Sequence, residues 1–155
     1  MLKEGAKAPA FALESAAGKV ALRDFAGKWV VVYFYPKDLT PGCTAEAIDF
    51  QRATPQLAKR NAVVLGISRA PVKRHEKFAD KCALAFPLLS DPDGEVIRAW
   101  GAWGEKTLYG KKTEGIIRST VIVAPDGKVA KLFRPVKVPG HVEAVLAALD
   151  ERAAP

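Results

Sequence analysis

The strongest constraint on the fold of this chain is Trp29-Val30-Val31-Val32-Tyr33-Phe34-Tyr35, a continuous run of aromatic and β-branched residues without polar alternation. A strand that is apolar on both faces has no solvent side, so it belongs at the centre of a sheet covered by helices. The run stops at Pro36, and after a short loop Thr40-Pro41-Gly42-Cys43 reads as the opening turn of a helix. Thr is a favoured N-cap because its oxygen can accept from an unpaired N–H, and Pro has no N–H to lose at N1. Counting on, Gly42 is N2 and Cys43 is N3. The first turn of a helix carries partial positive charge and free N–H donors, which favour a thiolate over a thiol. An inert core cysteine is the competing reading, and Thr, Pro, Gly and Cys in this order suit a nucleophile better.

The remaining pattern alternates strands and helices. Pro9–Leu13 reads as a short strand, Gly18-Lys19 as a turn and Val20–Leu22 as the return strand, with a tight turn or short helix at Asp24–Gly27. A helix from Cys43 to about Arg60 is predicted, kinked or broken at Pro55, which cannot continue the helical hydrogen bonds. Ala62–Ser68 is a second apolar strand, Pro71 opens a helix that ends near Cys82, Phe86–Leu89 is a short strand, and Glu95–Trp100 is helical. Gly101–Gly115, rich in Gly, Lys and Thr, reads as a loop. Ile116–Ala124 and Lys128–Arg134 flank Asp126-Gly127, a strong hairpin signal, and His141–Arg152 closes the chain as an amphipathic helix. This order predicts an α/β, thioredoxin-like fold. A central mixed sheet is flanked by helices and preceded by a small N-terminal β extension, all in a single domain over residues 1–155.

Composition narrows the function. With 155 residues and nearly half of them hydrophobic, the chain can bury a sizeable core. It contains no long apolar segment, so the reading is a cytoplasmic protein without a membrane span. Cys43 and Cys82 are too few for a disulfide scaffold and match no zinc spacing. The formal net charge of +7 raises nucleic acid as a partner, but the cations are dispersed, and Lys73, Lys77 and Lys81 recur as on a solvated helix face. Trp29, Tyr33 and Phe34, which would have to stack on bases, sit in the predicted buried strand, so no nucleic-acid partner is expected. Gly104–Lys112 lacks the spacing of a phosphate loop, Asp91–Glu95 lacks calcium ligands, and His75 and His141 are read as isolated and solvated. A thioredoxin-like thiol-disulfide oxidoreductase would carry Cys-x-x-Cys at the helix start, and Glu46 follows Cys43 instead.

Pro36, Thr40 and Cys43 form Pro-x-x-x-Thr-x-x-Cys, and Arg118 precedes the strand Ser119–Val123. Together with Tyr-Phe-Tyr-Pro-Lys, Phe-Pro-Leu-Leu-Ser-Asp, Trp-Gly-Glu-Lys and Gly-Ile-Ile-Arg, this resembles the peroxiredoxins, and most closely their Q-type, or bacterioferritin comigratory, subgroup. The resemblance implies a thiol peroxidase for hydrogen peroxide and organic hydroperoxides, with no metal or organic cofactor, recycled by thioredoxin or another thiol reductant. It implies that Cys43 is the peroxidatic cysteine, passing through a sulfenic acid. Thr40, the Cys43 N–H and Arg118 would be the donors to the reacting oxygens, Arg118 would favour the thiolate, and Pro36 would shield the site. It also suggests a monomer.

Many Q-type members carry a second cysteine five residues after the first, where this chain has Ile48. Others place it at the position of Ala79, and Cys82 lies one helical turn further on the same face. Two readings of Cys82 stand. It resolves the Cys43 sulfenate after local unfolding, or it packs with Val72, His75 and Phe78 as a small hydrophobe and an external thiol does the resolving.

Overall fold

The apolar run from Trp29 is a strand with a hydrogen-bonded neighbour on each side, as its lack of a polar face requires. In the computed structural model, which describes residues 2–153, the chain begins with β1 (Ala12–Ser15), β2 (Gly18–Ala21) and a 3-10 turn (Leu22–Phe25). It continues through β3 (Trp29–Phe34), α1 (Pro41–Arg52), α2 (Thr54–Lys59), β4 (Ala62–Ser68), α3 (Val72–Cys82), β5 (Leu88–Ser90) and α4 (Glu95–Ala99). Last come β6 (Trp103–Leu108), β7 (Lys111–Ile116), β8 (Ser119–Val123), β9 (Val129–Phe133) and α5 (His141–Ala153).

Seven strands form one sheet in the order β2-β1-β5-β4-β3-β8-β9. β3, β4 and β5 run parallel, and the strands at both edges are antiparallel to their neighbours, so the sheet is mixed and the fold thioredoxin-like. The N-terminal β hairpin extends the sheet beyond β5. Side chains alternate across β3. Val31, Tyr33 and Tyr35 enter a core with Cys43, Phe50, Leu57, Phe78 and Leu149, whereas Val30, Val32 and Phe34 enter a second core with Phe11, Ile97 and Trp100.

Three local expectations are revised. β1 starts at Ala12 rather than Pro9, and the turn is Ala16-Ala17, because the Ser15 hydroxyl donates to the Gly18 carbonyl at 2.7 Å and accepts from Ala17 N–H at 3.2 Å. Of the kink or break expected at Pro55, the structure has the break, placed two residues earlier at Ala53, with Pro55 in the first turn of α2. The segment read as a loop is the β6–β7 hairpin, turned at Tyr109-Gly110 with φ of 52° and 78°. Apart from the Trp103–Ile116 pair that packs into the second core, its strands bury little, which removed the periodicity by which strands are recognised.

Candidate active site

Sheet topology brings Cys43 and Arg118 together. β8 runs antiparallel to β3, with Ser119 opposite Phe34, so the residue just before β8 lies at the end of β3 from which the chain leaves for α1. Arg118 therefore meets Cys43 across a sequence separation of 75, its Nη2 donating to Sγ at 3.3 Å. Thr40 is the N-cap with extended backbone, Pro41 is N1, and Cys43 is N3, as the sequence predicts. The first N–H to close a bond on the preceding turn is that of Thr44, onto the Thr40 carbonyl at 2.8 Å. The Gly42 and Cys43 N–H groups thus belong to the set that a helix start leaves free, beside a sulfur only 1% exposed.

Glu46 completes the cluster and was not found by sequence reasoning. One turn after Cys43 on the same face of α1, it is 1% exposed and accepts from Arg118 Nη1 at 2.6 Å. The i, i+3 spacing from the cysteine, on a helix whose inner face must be apolar, was the available signal. Burial pushes the Glu46 carboxyl up from its ordinary 4.5 to about 7, with Arg118 pulling against that rise. Burial opposes the charge of Arg118, yet Glu46 and then Cys43 raise its pKa. Tyr33 lies at the same end of the core, stacked on Phe50 at 4.7 Å, and burial followed by the nearby Glu46 and Cys43 raises its phenol. From β6, Lys106 is lowered by burial and then by Arg118.

Of the other expected residues, Pro36 and Thr40 are half-buried beside this cluster in sequence. Thr40 caps α1 by its backbone only. Its hydroxyl donates to the Lys37 carbonyl at 2.8 Å. The oxygen keeps its lone pairs free to accept a further hydrogen bond. Cys82 is the last residue of α3, half-buried and packed against the core that contains Cys43; both cysteines are free. The two histidines are buried, not solvated. His75 Nδ1 lies 2.6 Å from Asp38 Oδ2, and His141 Nε2 lies 2.8 Å from Thr120 Oγ1. Their partners are distant in sequence, which is why both looked isolated. Tyr33 and Phe34 are fully buried and present no stacking face. Among the described residues, no group of three or more His, Cys, Asp or Glu side chains is disposed to hold a metal, and no helix is long and apolar enough to cross a membrane.

The sequence and its thioredoxin-like fold match known proteins closely. The chain matches the AhpC/TSA family model over residues 5–132. It is 50% identical over 135 residues to peroxiredoxin Bcp of Xanthomonas campestris pv. campestris, covering 87% of this chain and 84% of that protein. A solved structure of the X. campestris bacterioferritin comigratory protein, concerned with its alkyl peroxide reduction activity, superposes with a TM-score of 0.91 at 44% identity. That match covers 98% of this chain and 100% of the other. A cysteine mutant of Xylella fastidiosa PrxQ superposes with a TM-score of 0.93 at 38% identity, covering 99% of each chain. The chain belongs to the AhpC/TSA family. Within that family it is a peroxiredoxin of the bacterioferritin comigratory, or Q, type.

Proposed function

We propose that Cys43 is the peroxidatic residue of this thiol-dependent peroxidase, with Arg118 and the first-turn N–H groups as donors, Thr40 as acceptor and Pro36 as shield. The thiolate attacks the terminal oxygen of hydrogen peroxide or an organic hydroperoxide. An S–O bond forms as the O–O bond breaks, the departing oxygen takes a proton, and Cys43 is left as a sulfenic acid. Charge moves from sulfur to the departing oxygen during this step. Donors fixed beside Sγ stabilise the transition state most, and exclusion of water strengthens them. The observation that carries this reading is the 3.3 Å contact from Arg118 Nη2 to a sulfur buried at a helix N-terminus.

The cycle closes when a thiol reductant such as thioredoxin returns Cys43 to thiol, either directly or after Cys82 has captured the sulfenate as a disulfide. This reading takes residues 1–155 as one domain acting as a monomer in the cytoplasm, without a nucleic-acid partner. The continuous sheet with a core on each face and the two free cysteines support it. Peroxide consumption coupled to thioredoxin and its reductase tests the assignment: Cys43→Ser is expected to lose turnover entirely, and turnover retained by that variant would overturn it.

A further inference from the structure

The loop that delivers Thr40 and Cys43 is anchored by a group that the reaction above does not use. Between Pro36 and Thr40, Lys37 and Leu39 face solvent, and Asp38 alone is fully turned inward, 2% exposed. Its Oδ2 lies 2.6 Å from Nδ1 of His75 on α3, and both side chains are at most 1% exposed. The other ring nitrogen, Nε2, lies 3.0 Å from the Leu89 carbonyl of β5, an atom that only accepts, so Nε2 is protonated and the 2.6 Å contact is closed by a second proton between Nδ1 and Oδ2. Ser68, the last residue of β4, reaches Asp38 Oδ1 at 3.4 Å, and the Tyr35 hydroxyl lies 3.3 Å from His75 Nδ1. The Asp38 carboxyl is thus tied to α3 through His75 and to the end of β4 through Ser68, and His75 ties it onward to β5. The Thr40 hydroxyl bonds back to the Lys37 carbonyl across Asp38, so the turn that closes on Thr40 is the turn that Asp38 holds. Leu39, between them, is bent into the left-handed region at φ 66°, a conformation a leucine keeps only where its surroundings enforce it.

We propose that Asp38 and His75 are positioning residues for peroxide reduction: their buried pair pins the 36–40 loop so that Thr40 and the first turn of α1 face the reacting oxygens. The proposal rests on Cys43 being the reacting thiol. Neither residue touches the substrate; each acts by holding the acceptor oxygen of Thr40 and the N–H groups of the first turn in place. A displacement of about 1 Å at such groups can cost on the order of 100-fold in rate.

Two rates on the reduced protein separate this role from simple stabilisation. One is the second-order constant for oxidation of Cys43 by hydrogen peroxide, from competition with a haem peroxidase, and the other is alkylation of Cys43 by iodoacetamide. Peroxide needs the assembled pocket, whereas the alkylating agent needs only access to a sulfur that is 1% exposed in the native fold. Asp38→Ala and His75→Ala are each expected to slow oxidation by roughly 10-fold or more while alkylation speeds up. The double variant should be no slower than either single one, because both disrupt one pair. Asp38→Asn, whose amide can donate to Nδ1 of a neutral His75 or accept from a protonated one, is expected to stay within about threefold of the parent. Where alanine variants fail to fold, His75→Gln, which cannot reach Asp38 and the Leu89 carbonyl together, is expected to show the same opposed changes in smaller measure. Oxidation within twofold of the parent in folded Asp38→Ala or His75→Gln, or losses that multiply in the double variant, would overturn the proposal. A parent protein whose Cys43 is not oxidised by peroxide removes the reading of Cys43 first, and this proposal with it.

Discussion

Arg118 donates to Glu46 Oε1 at 2.6 Å through Nη1, and that bond leaves Nη2 aimed at Cys43 Sγ at 3.3 Å. The guanidinium is planar and rigid, so gripping the carboxylate sets the direction of its other arm. Glu46 comes from the same helix as Cys43, one turn on, so the cation's orientation is referenced to the element that carries the nucleophile.

Lysine cannot reproduce this fork. In Arg118→Lys a single ammonium has to choose between Glu46 and Cys43, and the oxidation rate of Cys43 by peroxide is expected to fall by about 100-fold or more, the usual cost of removing one transition-state donor. Arg118→Met also leaves the Glu46 carboxyl, 1% exposed, without its hydrogen-bond partner, and a stability loss of roughly 1–3 kcal/mol should appear in urea unfolding. A lysine variant oxidised at the parental rate would show that charge alone suffices.

Glu46 and His141 pull stability in opposite directions with pH. Glu46 keeps its proton to about 7 in the folded protein against 4.5 ordinarily, so its contribution is complete below 4.5 and is lost as pH rises to about 7. His141 is pushed from 6.5 to about 4 by burial and then by Arg118, so its contribution is present above 6.5 and is lost as pH falls towards 4. Between 4.5 and 6.5 the two slopes offset each other. Glu46→Gln leaves the histidine alone, and its stability is expected to climb across that interval by on the order of 1–2 kcal/mol, allowing for solvent screening. Urea midpoints at both ends of the interval measure it; a slope no steeper than the parent's would contradict the assignment to Glu46.

What could be read from the sequence was local, or tied to a local pattern. The cap at Thr40 and the apolar run of β3 are written in neighbouring residues, and Arg118 could be placed because it abuts a recognisable strand. Glu46 looked like any helix glutamate, since its burial depends on a cation 72 residues away. The histidines were misread for the same reason: Asp38 and Thr120, separated from them by 37 and 21 residues, turn what looks solvated into buried polar groups. The β6–β7 hairpin escaped because strand patterning records a buried face, and this hairpin has little of one.

Gly42 tests how finely the Arg118 arm is set. A Cβ at this position would lie 3.3 Å from Arg118 Nη2, the nitrogen that reaches Cys43. Alanine is the better helix former, by up to ~1 kcal/mol at interior positions and less in the first turn. Gly42→Ala is therefore expected to keep or slightly raise the melting temperature while slowing Cys43 oxidation severalfold, because the arm must move by a few tenths of an ångström. A rate equal to the parent's would mean that Arg118 adjusts without cost.

The fate of the oxidised sulfur turns on the end of α3. Cys82 is its last residue, and Ala83 caps it in a left-handed conformation at φ 53°, a position a non-glycine residue occupies at some cost. A helix that ends on its candidate resolving thiol loses few bonds when that end unwinds, and Cys82 already packs against the core that contains Cys43. A disulfide needs their Cα atoms within ~7 Å. One equivalent of peroxide is expected to give an intramolecular Cys43–Cys82 disulfide, seen in non-reducing intact mass as a loss of ~2 Da. Cys82→Ser should instead retain a dimedone-reactive sulfenate, while the first oxidation step keeps its parental rate. If the parent itself holds a stable sulfenate and never shows the disulfide mass, Cys82 is packing only, and an external thiol must act on Cys43 directly.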